Sequence, residues 1–487
     1  MSLHRKMARG ALWSLIEKGG QQGVSFIVFM VVARLVGPAE YGLANVCFVV
    51  FTIANLTILT IVDGIVNLQI DDDDRLSTLF WTVVGMGFVF SAACYFGAAP
   101  LAAALEEPRL VQLLQEFAVV PILLATSSVP NMILMKNLDF RIFALRSLAA
   151  SLIGGAVGIA LALKGGGAHA LIAQQVVLFV VVNLVVWPFA HWRPRLRFCG
   201  DKLLATISPG LKMVASMLVS FSEKEVPRIL ILLLMNPVML GYYSFVVRVR
   251  HAVQDICVNP PLAVLYPALA RLNDQKDKQR TILEVFIIAI GVVIFPVIGS
   301  AAITAPLYMP LLFGDKWNEA ITLLQLFIIC GATLPFQVLV REMLRAHNHI
   351  EAYLRLQVAY VAVLLIATLI LLPHGLLAVG YGTLGIGIAV LPIYFVLLDK
   401  WEGVGLWRQL TKLLTPLAGT ILLALVTHFT AVGPCAGANP WLRLFLSLAA
   451  GWAVYSLTCV LLMRDELRQI FTFVRHWQAV RAGADHP

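Results

Sequence analysis

The chain has 487 residues, 60% of them hydrophobic and only 13% charged, with a mean hydropathy of +0.87. Soluble domains run at about 45–50% apolar and about 25% charged, so the composition excludes a soluble enzyme or binding module and implies a polytopic membrane protein. The net charge of +9 suggests an acidic partner only until the basic residues are placed along the chain.

The apolar run after Arg9 is too long for a cleavable signal and leads straight into further spans. Fourteen spans are predicted, near 11–33, 41–62, 77–98, 113–134, 143–163, 168–189, 207–233, 239–262, 282–304, 319–340, 355–372, 376–398, 412–431 and 441–463. With a cytoplasmic N-terminus, 25 of the 36 Lys and Arg residues fall on the cytoplasmic side, 5 on the opposite side and 6 inside spans. That asymmetry supports an even span count with both termini cytoplasmic, and it makes the basic loops topology signals rather than nucleic-acid sites. The acidic run Asp71 to Asp74 reads as a solvated turn. The outward loops are short and leave no room for an extracytoplasmic domain. After Met463, Phe471, Phe473 and Trp477 interleave with Arg468, Arg475 and Arg481, the pattern of an interfacial helix. The seven cysteines stand singly, without metal or disulfide spacing, so neither a metal nor a cofactor is expected.

The stretch Val238 to Pro261 reads as a membrane-length helix with ionisable groups in its middle. At about 100° per residue, Ser244, Arg248, His251, Asp255 and Asn259 fall within an arc of roughly 80°. A charge at bilayer depth is costly unless it faces a bundle interior or a watery cavity. This helix is therefore expected to turn one polar stripe toward a central space, with Arg250 pointing away from it. An internal repeat multiplies the stripe. GPAEYG at Gly37 to Gly42 matches NPVMLG at Asn236 to Gly241 at an offset of 199, with Pro38 on Pro237 and Gly42 on Gly241. Asn45 then falls on Ser244, Thr52 on His251 and Asn55 on Gln254. The preceding spans correspond too: Ser14, Lys18, Gln21, Gln22 and Ser25 share one face of the first, and Lys212, Ser216, Ser220 and Glu223 one face of the seventh. A weaker echo relates Pro130 to Lys136 with Pro335 to Arg341, at an offset of 205. Any one Ser, Asn or Gln reads as a hydrogen bond to a neighbouring helix. Four stripes at repeat-related positions point instead to a cavity between two halves, as in alternating-access transporters built from parallel repeats.

The expected architecture is all-α: two pseudo-symmetric six-helix lobes at 1–190 and 207–400, a basic cytoplasmic linker at 191–206, two additional helices at 401–463 and a cytoplasmic tail at 464–487. In order and spacing the chain carries ARLVGPAEYG (Ala33 to Gly42), LMKNLDFR (Leu134 to Arg141), WRPRLRF (Trp192 to Phe198), LGYYSF (Leu240 to Phe245), YPALARL (Tyr266 to Leu272) and FGDKWNEA (Phe313 to Ala320). Across Gly10 to Lys400 it resembles the Wzx-type bacterial polysaccharide flippases of the multidrug/oligosaccharidyl-lipid/polysaccharide exporter superfamily, most of all their colanic-acid and xanthan-type branch. Many of those have twelve spans; this chain adds two.

The resemblance implies a MATE-like fold and a non-enzymatic function: moving an undecaprenyl-diphosphate-linked oligosaccharide repeat unit between leaflets of the inner membrane. Such a substrate needs a greasy slot for the tail, cations for the diphosphate and a wet polar chamber for the sugars. Lys18, Lys212 and Arg248 are the candidate cations, because a low-dielectric cavity strengthens charge pairing. Gln21, Asn45, Thr52, Asn55, Ser216 and Ser220 are the candidate sugar contacts. Glu223, His251 and Asp255 are candidates for coupling to an ion gradient, beside the plainer reading that they pair with Arg248 or Lys212. Membrane lipids are expected partners, and a polysaccharide polymerase and export proteins fit the same pathway; nucleic acid does not. Three other functions compete. A drug/cation antiporter of the same fold would favour an apolar cavity with a buried acid and few cations. A peptidoglycan-precursor flippase would handle a similar lipid diphosphate. A membrane polymerase or ligase would present a sizeable outward loop, which this chain lacks.

Overall fold

The computed structural model describes residues 3–62, 72–137, 140–197, 218–219, 221–262, 265, 269, 276–347, 349–470 and 472. Every regular element among them is a helix. In chain order these are α1 (Leu3–Leu35), α2 (Pro38–Val62), α3 (Asp73–Phe96), α4 (Ala98–Ala104), α5 (Arg109–Phe117), α6 (Val119–Lys136), α7 (Phe140–Leu163) and α8 (Gly167–Phe189). A helix over 221–234, α9, follows, then α10 (Pro237–Val253), α11 (Asn259–Leu262), α12 (Lys276–Ala289), α13 (Phe295–Ile303) and α14 (Ala305–Phe313). The remainder are α15 (Ile321–Cys330), α16 (Leu334–Ala346), α17 (Ile350–Leu371), α18 (Leu376–Glu402), α19 (Leu406–Val432) and α20 (Pro440–Leu462).

Eleven stretches among the described residues are long and apolar enough to cross a membrane. The protein is a multi-pass membrane protein. Three of the fourteen expected spans lie outside that set. The described apolar part of α1 is Gly19–Leu35. The seventh expected span begins within residues 198–217, outside the described residues. The eighth, α10, has 17 α-helical residues and carries Arg248 and Arg250.

Prolines break or loosen helices that the pattern reads as continuous, because each removes a backbone donor. The expected span at 239–262 is α-helical only to Val253; Gln254–Val258 is a π turn in which the amide of Asn259 donates to Gln254 O. Pro260 and Pro261 supply no N–H to the carbonyls of Ile256 and Cys257, so wider pairing takes over. The same happens at Ile290–Ile294, between α12 and α13, ahead of Pro296. There Val292 O, deprived of its partner by Pro296, accepts from the Tyr455 hydroxyl at 2.8 Å. The span expected at 319–340 is interrupted at Gly331–Thr333, where Pro335 follows and Thr333 Oγ1 donates to Cys330 O at 2.8 Å.

The chain folds as two compact units, Met1–Ser244 and Phe245–Pro487. In the first, α2, α3 and α6 bury a core that includes Ile58, Leu79, Phe80, Val83 and Val129, closed at one end by Trp192. α7 lies along α8, and Ala150, Val181, Val182 and Val186 form their seam. In the second, Ile288, Val292, Leu423, Tyr455 and Cys459 pack α12, α19 and α20 together. Small residues admit these helices to each other: a side chain at Gly87 would meet Ala125 Cβ at 2.7 Å, and one at Gly451 would meet Leu423 O at 3.0 Å. Close backbone approach of this kind substitutes in a membrane for the hydrophobic driving force that lipid removes.

Candidate functional site

The GPAEYG start of α2 proves to be a packing hub of the first unit. Glu40 Oε1 accepts from the Arg109 guanidinium at 2.5 Å, and its Oε2 accepts from the amide of Ala168 at 3.0 Å. One carboxylate thus ties α2 to α5 and caps α8. Two residues on, Gly42 lies against the start of α10. A Cβ on Gly42 would overlap Pro237 O, and a Cβ on Gly241 would overlap Pro38 O. The two positions matched by the sequence repeat are therefore also a reciprocal, backbone-on-backbone crossing.

The polar stripe of α2 is largely satisfied by its own helix. Asn45 is buried and its Nδ2 donates to Tyr41 O at 2.8 Å; Thr52 Oγ1 donates to Phe48 O at 2.9 Å. Asn55 on α2 and Gln21 on α1 are half-buried. Lys212, Ser216 and Ser220 lie outside the described residues, as does the side chain of Lys18. Glu223 is half-buried on α9, two residues before Glu225, which pairs with Arg228 at 3.1 Å.

The stripe of α10 is not uniform. Ser244 is buried, Arg248 is exposed, His251 is half-buried, and Asp255 and Asn259 are exposed. The 100° spacing behind the expected arc holds only to Val253, where the π turn begins. Asp255 Oδ1 accepts from Asn259 Nδ2 at 2.8 Å, so these two do come together. Arg250, which the stripe left aside, sits with its guanidinium 5.6 Å from the Phe327 ring centroid and 3.3 Å from His251 Nε2. At the head of the second unit, Phe245 of the LGYYSF segment stacks on Trp317 of FGDKWNEA at 3.9 Å and 17°, with Phe313 edge-on at 4.9 Å. Two of the segments that carry the family resemblance thus build one aromatic lock. The acidic turn likewise has a partner: Asp73 pairs with Arg195 at 2.7 Å, and Asp74 lies 3.7 Å from Arg197. It clasps the basic WRPRLRF segment instead of facing solvent alone.

The sequence did not reveal an apolar groove of about 740 Å³ in the second unit. α13, α15, α18 and α19 wall it, with Phe336 of α16 at its side. α19 contributes Leu410, Leu413, Leu414 and Leu417, at helical spacing. The rim residues Tyr381, Ile388, Leu414 and Ile421 are exposed. Almost every lining atom is carbon; Gln325 is spent on Ala302 O and Thr420 on Pro416 O. The spacing of those leucines is legible, but it reads as a lipid-facing stripe until three other helices are placed around it.

A family model described as "Polysaccharide biosynthesis protein" matches residues 31–322, more than half of the chain. The chain belongs to the polysaccharide biosynthesis protein family. Among curated relatives of this family member, the lipopolysaccharide biosynthesis protein WzxC of Escherichia coli (strain K12) is 25% identical over 68% of each chain. The succinoglycan biosynthesis transport protein ExoT of Rhizobium meliloti (strain 1021) is 23% identical over 68% of this chain and 69% of its own. Among solved structures, the lipid II flippase MurJ in an inward closed conformation superposes with a TM-score of 0.71 at 14% identity, covering 94% of this chain and all of that one. An inward-facing multidrug resistance MATE transporter of the MOP superfamily gives 0.56 at 14%, over 79% and 96%. The expected MOP-type helical fold is therefore shown.

Proposed function

We propose that this protein moves undecaprenyl-diphosphate-linked oligosaccharide repeat units from the inner to the outer leaflet of the bacterial inner membrane by alternating access, for exopolysaccharide, capsule or O-antigen assembly. Family membership across residues 31–322 carries the reading, and relatives named for polysaccharide biosynthesis and transport support it. Both termini are assigned to the cytoplasm, a reading that the bias of Lys and Arg supports. The reaction makes no covalent bond, so no catalytic residue is assigned.

Each part of the substrate has a chemical counterpart. The groove walled by α13, α15, α18 and α19 suits a polyprenyl chain, because a seat lined by carbon holds an apolar chain without charging it a polar desolvation cost. Arg248 is the principal candidate for the diphosphate, with Lys18 and Lys212 beside it in the expected repeat. Gln21, Asn45, Thr52, Asn55, Ser216 and Ser220 are assigned to the sugars. Where Asn45 and Thr52 now bond to their own helix, a sugar hydroxyl must compete with that carbonyl. Glu223, His251 and Asp255 are assigned to ion coupling. The lobes at 1–190 and 207–400, joined by the linker at 191–206 and followed by two extra helices, are the bodies that would rock.

The test is deletion of the gene in its own host, extraction of the lipid-linked oligosaccharides and assignment of leaflet by access of a periplasmic enzyme. Complete repeat units accumulating on the cytoplasmic side are expected. Complete units reaching the outer leaflet unpolymerised would mean a polymerase. Unchanged lipid-linked sugars would return the drug-antiporter reading.

A further inference from the structure

Two helices of the second unit bring their C-terminal ends together, α16 at Ala346 and α18 at Glu402. The carbonyl end of a helix carries partial negative charge, so a place where two such ends meet attracts a cation. His347 and Glu402 meet there. The Glu402 side chain is 0% exposed and that of His347 18%, and His347 Nε2 lies 3.3 Å from Glu402 Oε1. On its other side the ring turns Nδ1 to Met343 O, one turn back, at 3.0 Å.

Those two contacts set the number of protons. A carbonyl oxygen can only accept, so Nδ1 carries a hydrogen. In a neutral ring Nε2 is then a bare lone pair, and it faces a carboxyl oxygen. A lone pair set against an ionised carboxylate repels it. Attraction needs one more proton. It sits on Nε2, as imidazolium against carboxylate, or on Glu402, as a carboxylic acid donating to Nε2. In both cases the pair holds one proton between nitrogen and oxygen. When that proton leaves, a buried carboxylate faces a neutral ring instead of a cation, which is a costly arrangement away from water.

The charges around the pair are engaged elsewhere or face solvent. On α16, Glu342 takes the Arg341 guanidinium at 2.7 Å, with Arg345 at 3.7 Å. On α18, Asp399 Oδ1 accepts from the amide of Gly405 at 2.8 Å, and Lys400 is exposed. On α17, Glu351 and Arg355 form an exposed pair at 3.8 Å. The second imidazole, His349, is exposed and lies against the Trp401 ring, with centroids 4.4 Å apart. Among these groups the His347–Glu402 pair is the one that is buried and whose contact depends on a proton.

We infer that His347 and Glu402 form a proton-binding site that fastens the ends of α16 and α18 when occupied and frees them when the proton leaves. The sign follows from the proton count: the contact is present at low pH and is lost as pH rises. On the proposed flippase reading, on which this consequence rests, the site takes a coupling proton at the cytoplasmic ends of the two helices, apart from Glu223, His251 and Asp255. Histidine suits that task because its charge changes within the physiological range.

The experiment is hydrogen exchange of the full-length protein in detergent, from about pH 5.5 to about pH 9, the span across which a histidine pair titrates. Labelling times are scaled to cancel the intrinsic pH dependence of exchange, and α7 and α8 of the first unit serve as the reference for folding. In wild type, peptides covering 343–349 and 398–405 should lose about tenfold in protection as pH rises, the loss typical of one charge-assisted hydrogen bond. His347→Gln and Glu402→Gln each install an amide that donates across the contact without titrating. Each should keep the protection and abolish the pH step, whereas His349→Gln should leave the step in place. A wild-type profile flat across pH would overturn the site and leave a fixed ion pair. A step that survives in both His347→Gln and Glu402→Gln would overturn it in favour of other titrating groups. No lipid-linked substrate enters the measurement, so its failure is distinguishable from failure of the flippase reading, which the gene deletion tests.

Discussion

α2 and α10 start from the same short pattern, a proline at the first helical position and a glycine four residues later, and they cross where those glycines meet. Beyond the crossing they differ. α2 runs 25 residues to Val62 without interruption, and its Asn45, Thr52, Thr57 and Thr60 all hydrogen-bond carbonyls one turn back. α10 carries Arg248, Arg250 and His251 and gives way to a π turn at Gln254. A neutral hydroxyl or amide in a low-dielectric setting can be satisfied by its own helix. A guanidinium cannot, because one carbonyl offers neither enough acceptors nor a countercharge. It needs a ring, an acid, water or a ligand, and Arg250 takes the Phe327 ring. Repeat-related positions are thus satisfied within one helix and chemically demanding in the other, and under the proposed function the charged contacts to substrate fall on α10.

Four measurements would break or sharpen that contrast. The largest effect is expected from Arg248→Ala. It should cut polymer export by about tenfold or more, as loss of a charge-assisted contact does, with protein in the membrane unchanged by immunoblot. Normal export by this variant would remove Arg248 from the site. Next comes Trp317→Ala, which empties a fully buried indole stacked on Phe245. It should cost about 3–5 kcal/mol of stability, read as a lowered midpoint in thermal unfolding of the detergent-solubilised protein. Gly42→Ala and Gly241→Ala come third. Each places a methyl on the opposing carbonyl and should cost about 1–3 kcal/mol; because the contact is reciprocal, the two values should match, and a large inequality would break the pseudo-symmetry of the crossing. Thr52→Val is expected to be the smallest, within about 1 kcal/mol and with export within about twofold of wild type. A severe export loss from Thr52→Val would show that its hydroxyl leaves Phe48 O for the substrate.

Much of this was legible beforehand. Fold class followed from composition, and most helix positions followed from apolar runs of membrane length. The crossing of α2 and α10 was foreshadowed by matched Pro and Gly residues, since only a missing side chain lets two backbones touch. What escaped notice has one common cause. The two π turns and the break at Gly331 are set by prolines, but which carbonyl finds a substitute donor, as Val292 O finds Tyr455, depends on a helix 163 residues away. The clasp of Asp73 and Asp74 by the WRPRLRF segment joins stretches that read separately as a solvated turn and a topology signal. The same holds for Arg280, Arg408 and Lys412, each of which reads as one more cytoplasmic charge until Glu284 gathers them.

By itself the sequence determined that the chain lives in a membrane, that it is helical, that its motifs are those of the polysaccharide biosynthesis family and that an approximate repeat relates its halves. These properties depend on local composition and on short-range periodicity, which the order of residues states directly. Only the tertiary structure decided that α2 satisfies its polar groups internally, that Phe245, Phe313 and Trp317 form one lock, that four helices enclose an apolar groove, and that Arg280, Arg408 and Lys412 gather on Glu284. Those properties depend on distances between residues far apart in the chain, and the free energy of a polar or charged group is set by what packing brings within reach of it.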